Sequence, residues 1–241
     1  MILALLVPLA VLVPQAGSID RDEGWRSDLD FFVTEAQRVH AHSARPVFSP
    51  EFGELAGELH FAIPDLSDDQ VLTRFMKLAA FLNDGHTAIY GPAPDSSLDF
   101  DRRVLPFKFY AFPSGLYIVD GDGEWVDHAG SRVLRFGEVS DEDVLERESA
   151  YRGGDNAMTW TWMGPQFYVR KLALLREVTG DDGPLQLTLQ TPEGAEHTLT
   201  VEGGEHGLVR KLRPFPLQTA ETPLYLSRVD TNYWMTPLAA R

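Results

Sequence analysis

The amino-acid sequence predicts an α+β protein in which three helices come first, followed by a small β-barrel with two helices and an irregular C-terminal tail. Up to about residue 90, apolar residues recur at spacings of three and four, the period of a helix that packs on one face. From residue 104 onwards they alternate, which is the period of strands. With 241 residues, 44% of them hydrophobic, the chain is long enough to bury a sizeable core.

Each of the three predicted helices carries an apolar stripe and a recognisable end. The stripe of the first helix contains Trp25, Leu29, Phe32, Val33, Ala36 and Val39. We expect Asp20 or Asp22 to cap this helix. The second helix begins at Ser49-Pro50, and the third begins at a capping box formed by residues 67–70. Gly85 follows the third helix and suits a left-handed backbone.

The second half of the chain predicts short strands separated by turns and interrupted by two helices. The predicted strands are 89–90, 104–112, 116–119, 132–136, 185–189 and 197–201. A helix is expected after the cap residue Ser140, and a longer one over 158–178 with Phe167 on its inner side. Gly164-Pro165 should interrupt or kink this longer helix, because proline lacks the amide hydrogen.

The N-terminus predicts export. Residues 2–13 form an apolar run broken only by Pro8, too short for a membrane span and typical of a signal peptide. Small residues at 16–18 allow cleavage after Ser18, so we expect a signal peptide over 1–18 and a secreted or periplasmic location. A wrongly assigned start inside a longer signal would lead to the same compartment. A buried strand or helix is the remaining alternative.

Charge and cysteine content exclude several functions. The formal net charge of −15 repels phosphate backbones and anionic lipids, so we expect no nucleic acid and no membrane partner after signal cleavage. The chain has no cysteine, which excludes disulfides, thiolate metal sites and cysteine nucleophiles.

Several segments, taken in order, resemble one family. They are the Trp-x-x-Asp-Leu segment at 25–29, His40, the Asp-Gly-His-Thr segment at 84–87 and the stretch 130–137. Over residues 22–204 the chain is similar to the N-terminal part of tail-specific, C-terminal-processing and tricorn-like serine peptidases. The resemblance implies a helical domain at 19–92, a PDZ-like domain at 93–205 and, at 206–241, an extended segment that leads to the catalytic α/β domain.

The same resemblance implies that the nucleophile is missing from this chain. In that family the nucleophilic serine lies on an α/β domain downstream of the PDZ-like domain. No small-residue-flanked serine follows residues 222–234 before Arg241. We therefore expect the chain to be inactive alone, and whether it is an enzyme stays open.

His86 is the one candidate catalytic residue. The resemblance implies that it is a general base, and a neutral imidazole near pH 7 can accept a hydroxyl proton and return it to the leaving amine. From the residues alone, the better interpretation of His86 is a histidine beside a helix C-terminus, bonded to loop carbonyls.

No metal or other cofactor is expected. His40 and His42 form a His-x-His pair, but at a helix end their rings diverge and no third ligand is near. Residues 120–124 lack the spacing of a calcium loop and favour a hairpin turn. Trp160 and Trp162 are expected to be buried in packing rather than to line a groove.

Two functions remain. In the first, the chain is the substrate-recruiting part of a serine peptidase, and its PDZ-like domain binds peptide or unfolded protein tails by strand addition. In the second, the chain is a non-catalytic exported protein that binds a peptide or a small ligand. In either case Tyr225 and Leu226, with Tyr233 and Trp234, predict an exposed apolar C-terminal segment and self-association through it.

Overall fold

The computed structural model describes residues 20–40, 49–92, 96, 98–154, 156–204 and 233–235, and of residues 157, 159 and 160 only the backbone. The predicted signal peptide at 1–18 and all but three residues of the predicted tail at 206–241 lie outside these ranges. Within them, no helix combines the length and the apolar character needed to cross a bilayer.

Three helices form the first layer, as the periodicity predicts. They are α1 (Arg21–Val39), α2 (Pro50–Ala62), which a 3₁₀ turn at Ile63–Asp65 extends, and α3 (Asp68–Phe81). The Ser67 hydroxyl accepts a hydrogen bond from the Gln70 amide, and the Gln70 side chain accepts one from the Ser67 amide, so the predicted capping box is confirmed. Asp20 occupies the N-cap of α1, but its side chain makes no capping bond.

The apolar stripes of these helices meet in one core. The fully or nearly fully buried members are Leu29, Phe52, Ala56, Leu59, Ile63, Val71, Phe75, Leu78 and Leu82. Trp25 and Phe32 pack against Phe75, with ring centroids 5.7 and 6.0 Å away. This packing fixes the C-terminal end of α3, from which the candidate site follows.

The strands form an antiparallel sheet that stays open. They are β1 (Phe107–Phe112), β2 (Gly115–Gly121), β3 (Arg132–Phe136), β4 (Val139–Ser140), β5 (Leu185–Gln190) and β6 (Glu196–Val201). Their order is β1-β2-β3-β5-β6, with β4 beside β3. The predicted closed barrel is therefore wrong, although the α+β class is confirmed. Alternating residues determine which face of a strand is buried, but they do not determine whether the outer strands meet.

The predicted strand at 89–90 is also wrong, because these residues are extended without a strand partner. Ile89 instead packs against both the helical core and the sheet core. Met76 of α3 belongs to the sheet core. The two layers therefore share apolar contacts at the place where the chain passes from one to the other.

Helices cover one face of the sheet. They are α4 (Asp141–Glu148), α5 (Ala157–Met163), a π-helix (Gly164–Tyr168) and α6 (Leu172–Thr179). The long helix predicted over 158–178 is thus three shorter segments, and the break falls at Gly164-Pro165 as expected. The extra residue of the π turn rotates the following side chains. Tyr168 is consequently buried while Phe167 is 45% exposed, so its predicted inward position is wrong.

Candidate functional site

The loop that follows α3 carries His86 and turns sharply at its start. Asn83 adopts a left-handed backbone conformation with φ of 52°, whereas Gly85 has no positive φ. The predicted left-handed position at Gly85 is therefore two residues too late. Asparagine tolerates this conformation better than most residues, since its short polar side chain bonds locally. The turn releases the chain from α3 immediately before the Asp-Gly-His-Thr segment.

Asp84 fixes this loop through both of its carboxylate oxygens. The His86 backbone amide donates to Oδ1 at 2.9 Å, and the Thr87 hydroxyl donates to Oδ2 at 2.8 Å. The Thr87 amide also donates to the Asp84 carbonyl at 3.1 Å. The His86 amide, followed by the Thr87 hydroxyl, lowers the pKa of Asp84 below its ordinary value. Asp84 is therefore ionised at neutral pH.

His40 joins the same group from the end of α1. Its Nε2 lies 3.1 Å from the Thr87 hydroxyl oxygen and 3.4 Å from Asp84 Oδ2. Its side chain is only 8% exposed. The sequence analysis interpreted His40 as part of a solvated helix end and gave a metal ligand as the weaker alternative. Neither interpretation predicted its contact with the Asp-Gly-His-Thr segment. The order of His40 and the Asp-Gly-His-Thr segment in the family resemblance was the only sequence signal that linked them.

His86 itself lies on the solvent side of this loop. The residue is exposed, and among the described residues its ring forms no hydrogen bond. In that part of the chain, no serine hydroxyl is bonded to the imidazole either. The loop thus presents an imidazole that can accept a proton from a group brought to it, but the described residues do not supply that group.

Gly153 supports the loop from the sheet side. A Cβ atom built on Gly153 would lie 2.7 Å from the Asp84 carbonyl oxygen and 3.0 Å from its amide nitrogen. These distances are too short for a side chain, so only glycine allows the two backbones to approach this closely. The sequence marked Gly153-Gly154 as a helix breaker, and the structure adds this packing role.

Lys171 holds the far end of the loop. Its ammonium donates to the Tyr90 carbonyl at 3.0 Å and lies 5.5 and 5.1 Å from the ring centroids of Tyr90 and Tyr168. Burial lowers the pKa of Lys171 to about 8, against the opposing effect of Glu148. The segment 84–90 is therefore fixed at one end by Gly153 and at the other by Lys171.

A buried ion pair lies behind Lys171. Both carboxylate oxygens of Glu148 accept from Arg152 Nε, at 2.7 and 2.9 Å. Burial raises the pKa of Glu148 to about 7, although the charge of Arg152 opposes this rise. Gly164 leaves room for the pair, because a Cβ there would meet Glu148 Oε2 at 2.7 Å. The pair thereby ties the end of α4 to the π-helix.

The other candidates from the sequence do not form sites in the described part of the chain. No group of three metal-ligating side chains occurs there, and His42 lies outside it. The turn expected at 120–124 continues into a 3₁₀-helix at Gly123–His128. Trp162 is 50% exposed and packs edge-on against Phe167, so its predicted burial is wrong. The side chain of Trp160 lies outside the described part.

Comparisons place this architecture among known folds. No protein-family model and no curated protein matches the sequence. Solved structures of CPAF, a chlamydial serine protease that resembles tail-specific proteases, do match the fold. A point mutant of CPAF matches 76% of this chain with 15% identity and a TM-score of 0.52. Mature CPAF complexed with lactacystin matches 82% with 16% identity and a TM-score of 0.54. The chain has a peptidase-like fold.

The likeness to CPAF is one of fold and extends over part of that protein. This chain covers 34% of the mutant and 36% of the lactacystin complex. The α+β architecture and its coarse assignment to serine-protease-like folds therefore agree with the family resemblance seen in the sequence.

Proposed function

We propose that this chain is the substrate-recruiting N-terminal part of an exported tail-specific or tricorn-like serine peptidase and does not hydrolyse peptide bonds alone. The observation that carries the proposal is the exposed His86 on a loop that Asp84, Thr87 and His40 hold by direct bonds. The peptidase-like fold around this loop supports the same function. The apolar run at 2–13 supports export.

The proposed role of His86 is that of a general base. Its imidazole would take the proton of a serine hydroxyl during attack on the scissile carbonyl and return it to the leaving amine. The residues around it define the loop backbone rather than contact the ring, so they position His86 without occupying its nitrogens. The serine would come from outside the described residues.

Peptide recruitment is proposed for the sheet layer, as a PDZ-like domain. Among the described strands, β6 pairs only with β5, which leaves its other edge available for an added strand. An extended peptide can pair with such an edge through backbone hydrogen bonds, and backbone amides can bind its terminal carboxylate.

Binding of tail peptides tests recruitment. We expect immobilised peptides with a free C-terminal carboxylate to bind the chain, and amidated versions of the same peptides to bind about tenfold more weakly. His86→Ala should leave this binding unchanged, since His86 belongs to catalysis and not to docking. Equal binding of free and amidated peptides would contradict the carboxylate-capture part of the proposal.

Extension of the reading frame tests the catalytic part. If DNA beyond codon 241 encodes a serine-bearing α/β domain, the extended protein should hydrolyse casein. His86→Ala should abolish that hydrolysis, whereas His60→Ala, a histidine on α2, should retain it. Hydrolysis that survives His86→Ala would remove His86 from the mechanism.

The second candidate is an exported protein that binds a small ligand without catalysis. A cavity of about 370 Å³ between α6 and the sheet favours it. Its lining combines apolar residues, such as Leu172 and Val201, with charged side chains, which are Arg103, Arg176, Asp181, Asp182 and Glu202. A stop codon directly after Arg241, together with a folded and abundant product, would support this function over the first.

A further inference from the structure

An unusual row of side chains crosses the sheet on the face opposite its core. Tyr110 of β1 is paired with Tyr117 of β2, and Tyr117 is paired with Arg132 of β3. The alternate positions Phe109 and Ile118, also paired with each other, are completely buried in the sheet core. Since successive side chains of a strand point to opposite faces, the row lies on the outer face.

Three rings on this face pack against one another in solvent. The centroids of Tyr110 and Phe112 are 4.6 Å apart, and those of Phe112 and Tyr117 are 5.5 Å apart with the rings nearly perpendicular. Tyr110 is 38% and Phe112 46% exposed. Together with Arg132, the rings of Tyr110, Phe112 and Tyr117 form what we call the aromatic face.

Further exposed apolar side chains lie on the helical segment beside β1. The segment formed by α5 and the π-helix contacts β1, and it carries three further exposed apolar side chains. They are Met158, Trp162 and Phe167. Contiguous exposed apolar surface is rare on soluble proteins and marks interaction sites, where tyrosine, tryptophan and methionine are enriched. Scattered exposed phenylalanines such as Phe61 of α2 need no such explanation.

The charge on the aromatic face is positive. Arg132 is the charged member of the paired row, and its Nε is buried without a hydrogen-bond partner among the described residues. Gly115 makes room for this guanidinium, because a Cβ there would lie 2.6 Å from Arg132 Nε. The row thus presents an uncompensated cation in a chain of net charge −15.

We propose that the aromatic face binds an extended polypeptide segment in which apolar side chains alternate with carboxylates. The rings would receive the apolar side chains, and the Arg132 guanidinium would receive a carboxylate. The assignment rests on the proposed function and adds to the edge of β6 a second peptide-binding surface that prefers acidic peptides.

Fluorescence anisotropy with two labelled peptides tests this assignment. One peptide alternates phenylalanine with glutamate, and the other alternates phenylalanine with lysine. The full chain should bind the glutamate peptide at least about tenfold more tightly than the lysine peptide. Arg132→Gln and Phe112→Ser should each weaken glutamate-peptide binding about tenfold. Phe61→Ser, which removes a more exposed ring from α2, should leave it unchanged.

Three outcomes would overturn the assignment. They are equal binding of the two peptides, glutamate-peptide binding that Arg132→Gln and Phe112→Ser leave intact, and binding to phosphatidylcholine vesicles that Phe112→Ser abolishes. In the second outcome, carboxylate-dependent binding of tail peptides would still support the proposed function through another part of the sheet. If the unmodified chain binds neither the glutamate peptide nor the tail peptides, the proposed function is contradicted as well.

Discussion

At the scale of single residues, Asp84 organises the candidate site because its two oxygens accept from different parts of the same loop. The His86 amide occupies one oxygen and the Thr87 hydroxyl the other, and His40 lies within 3.4 Å of the latter. Sequence reasoning identified His86 and the Asp-Gly-His-Thr segment. It missed the contact of His40 with Thr87, because the two residues are 47 positions apart and no local pattern connects them.

Removal of the Thr87 hydroxyl should raise the pKa of Asp84. In Thr87→Val the Thr87 bond is lost while the larger effect of the His86 amide remains, so the pKa should rise but stay below 3.8. Thr87→Ser keeps the hydroxyl and should keep the pKa. Titration of the Asp84 carboxyl carbon by NMR measures the shift. An unchanged midpoint in Thr87→Val would show that the bond does not form in solution.

Substitution of Gly153 should displace the His86 loop. In Gly153→Ala the new methyl would meet the Asp84 carbonyl oxygen at 2.7 Å, and we expect a loss of about 2 kcal/mol in unfolding free energy from this overpacking. Gly57→Ala is the control, since nothing lies within 4 Å of a Cβ there. In the interior of α2, alanine should stabilise by up to about 1 kcal/mol. Urea unfolding that shows the same sign for both variants would contradict the close contact.

At the scale of elements, the sequence predicted the helices better than the loops and the sheet outline. Periodicity and capping residues located α1, α2 and α3, because these signals are local. The left-handed position at Asn83 and the π turn at 164–168 depend on contacts made elsewhere in the fold, which the local sequence does not contain. For the same reason, the alternation that predicted strands did not show that the sheet stays open.

The caps of α1 and α3 give a matched pair of variants. Ser67→Ala removes the hydroxyl that accepts from the Gln70 amide in the capping box and should cost about 1 kcal/mol of unfolding free energy. Asp20→Ala removes an N-cap side chain that makes no capping bond, so it should cost no more than a few tenths of a kcal/mol. Chemical denaturation at neutral pH compares them. An Asp20→Ala loss as large as that of Ser67→Ala would show that Asp20 caps α1 in solution.

At the scale of the whole molecule, Lys171 makes the free energy of unfolding depend on pH. Its ammonium holds the end of the segment that joins the helical layer to the sheet layer. Its pKa falls from 10.5 to about 8 on folding, so the folded protein releases this proton earlier than the unfolded chain. Unfolding free energy should therefore rise between pH 8 and pH 10, by up to about 1 kcal/mol per pH unit.

Lys171→Met should remove most of this rise, while Lys77→Met should retain it. Burial also lowers the pKa of Lys108, which adds a smaller effect of the same sign in every variant. Denaturant unfolding at several pH values provides the measurement. If the unfolding free energy of Lys171→Met still rises in full between pH 8 and pH 10, Lys171 is not a buried, charged group in the folded protein.

The proposal combines the exposed imidazole of His86 with a fold shared with part of CPAF, and its central claim is that these 241 residues contain no activated serine. Labelling with a fluorophosphonate, followed by mass spectrometry, tests this claim directly because the reagent reacts with serines that a base has activated. We predict no stoichiometric adduct on the 241-residue chain. A single labelled serine, lost in His86→Ala and retained in His60→Ala, would contradict the account.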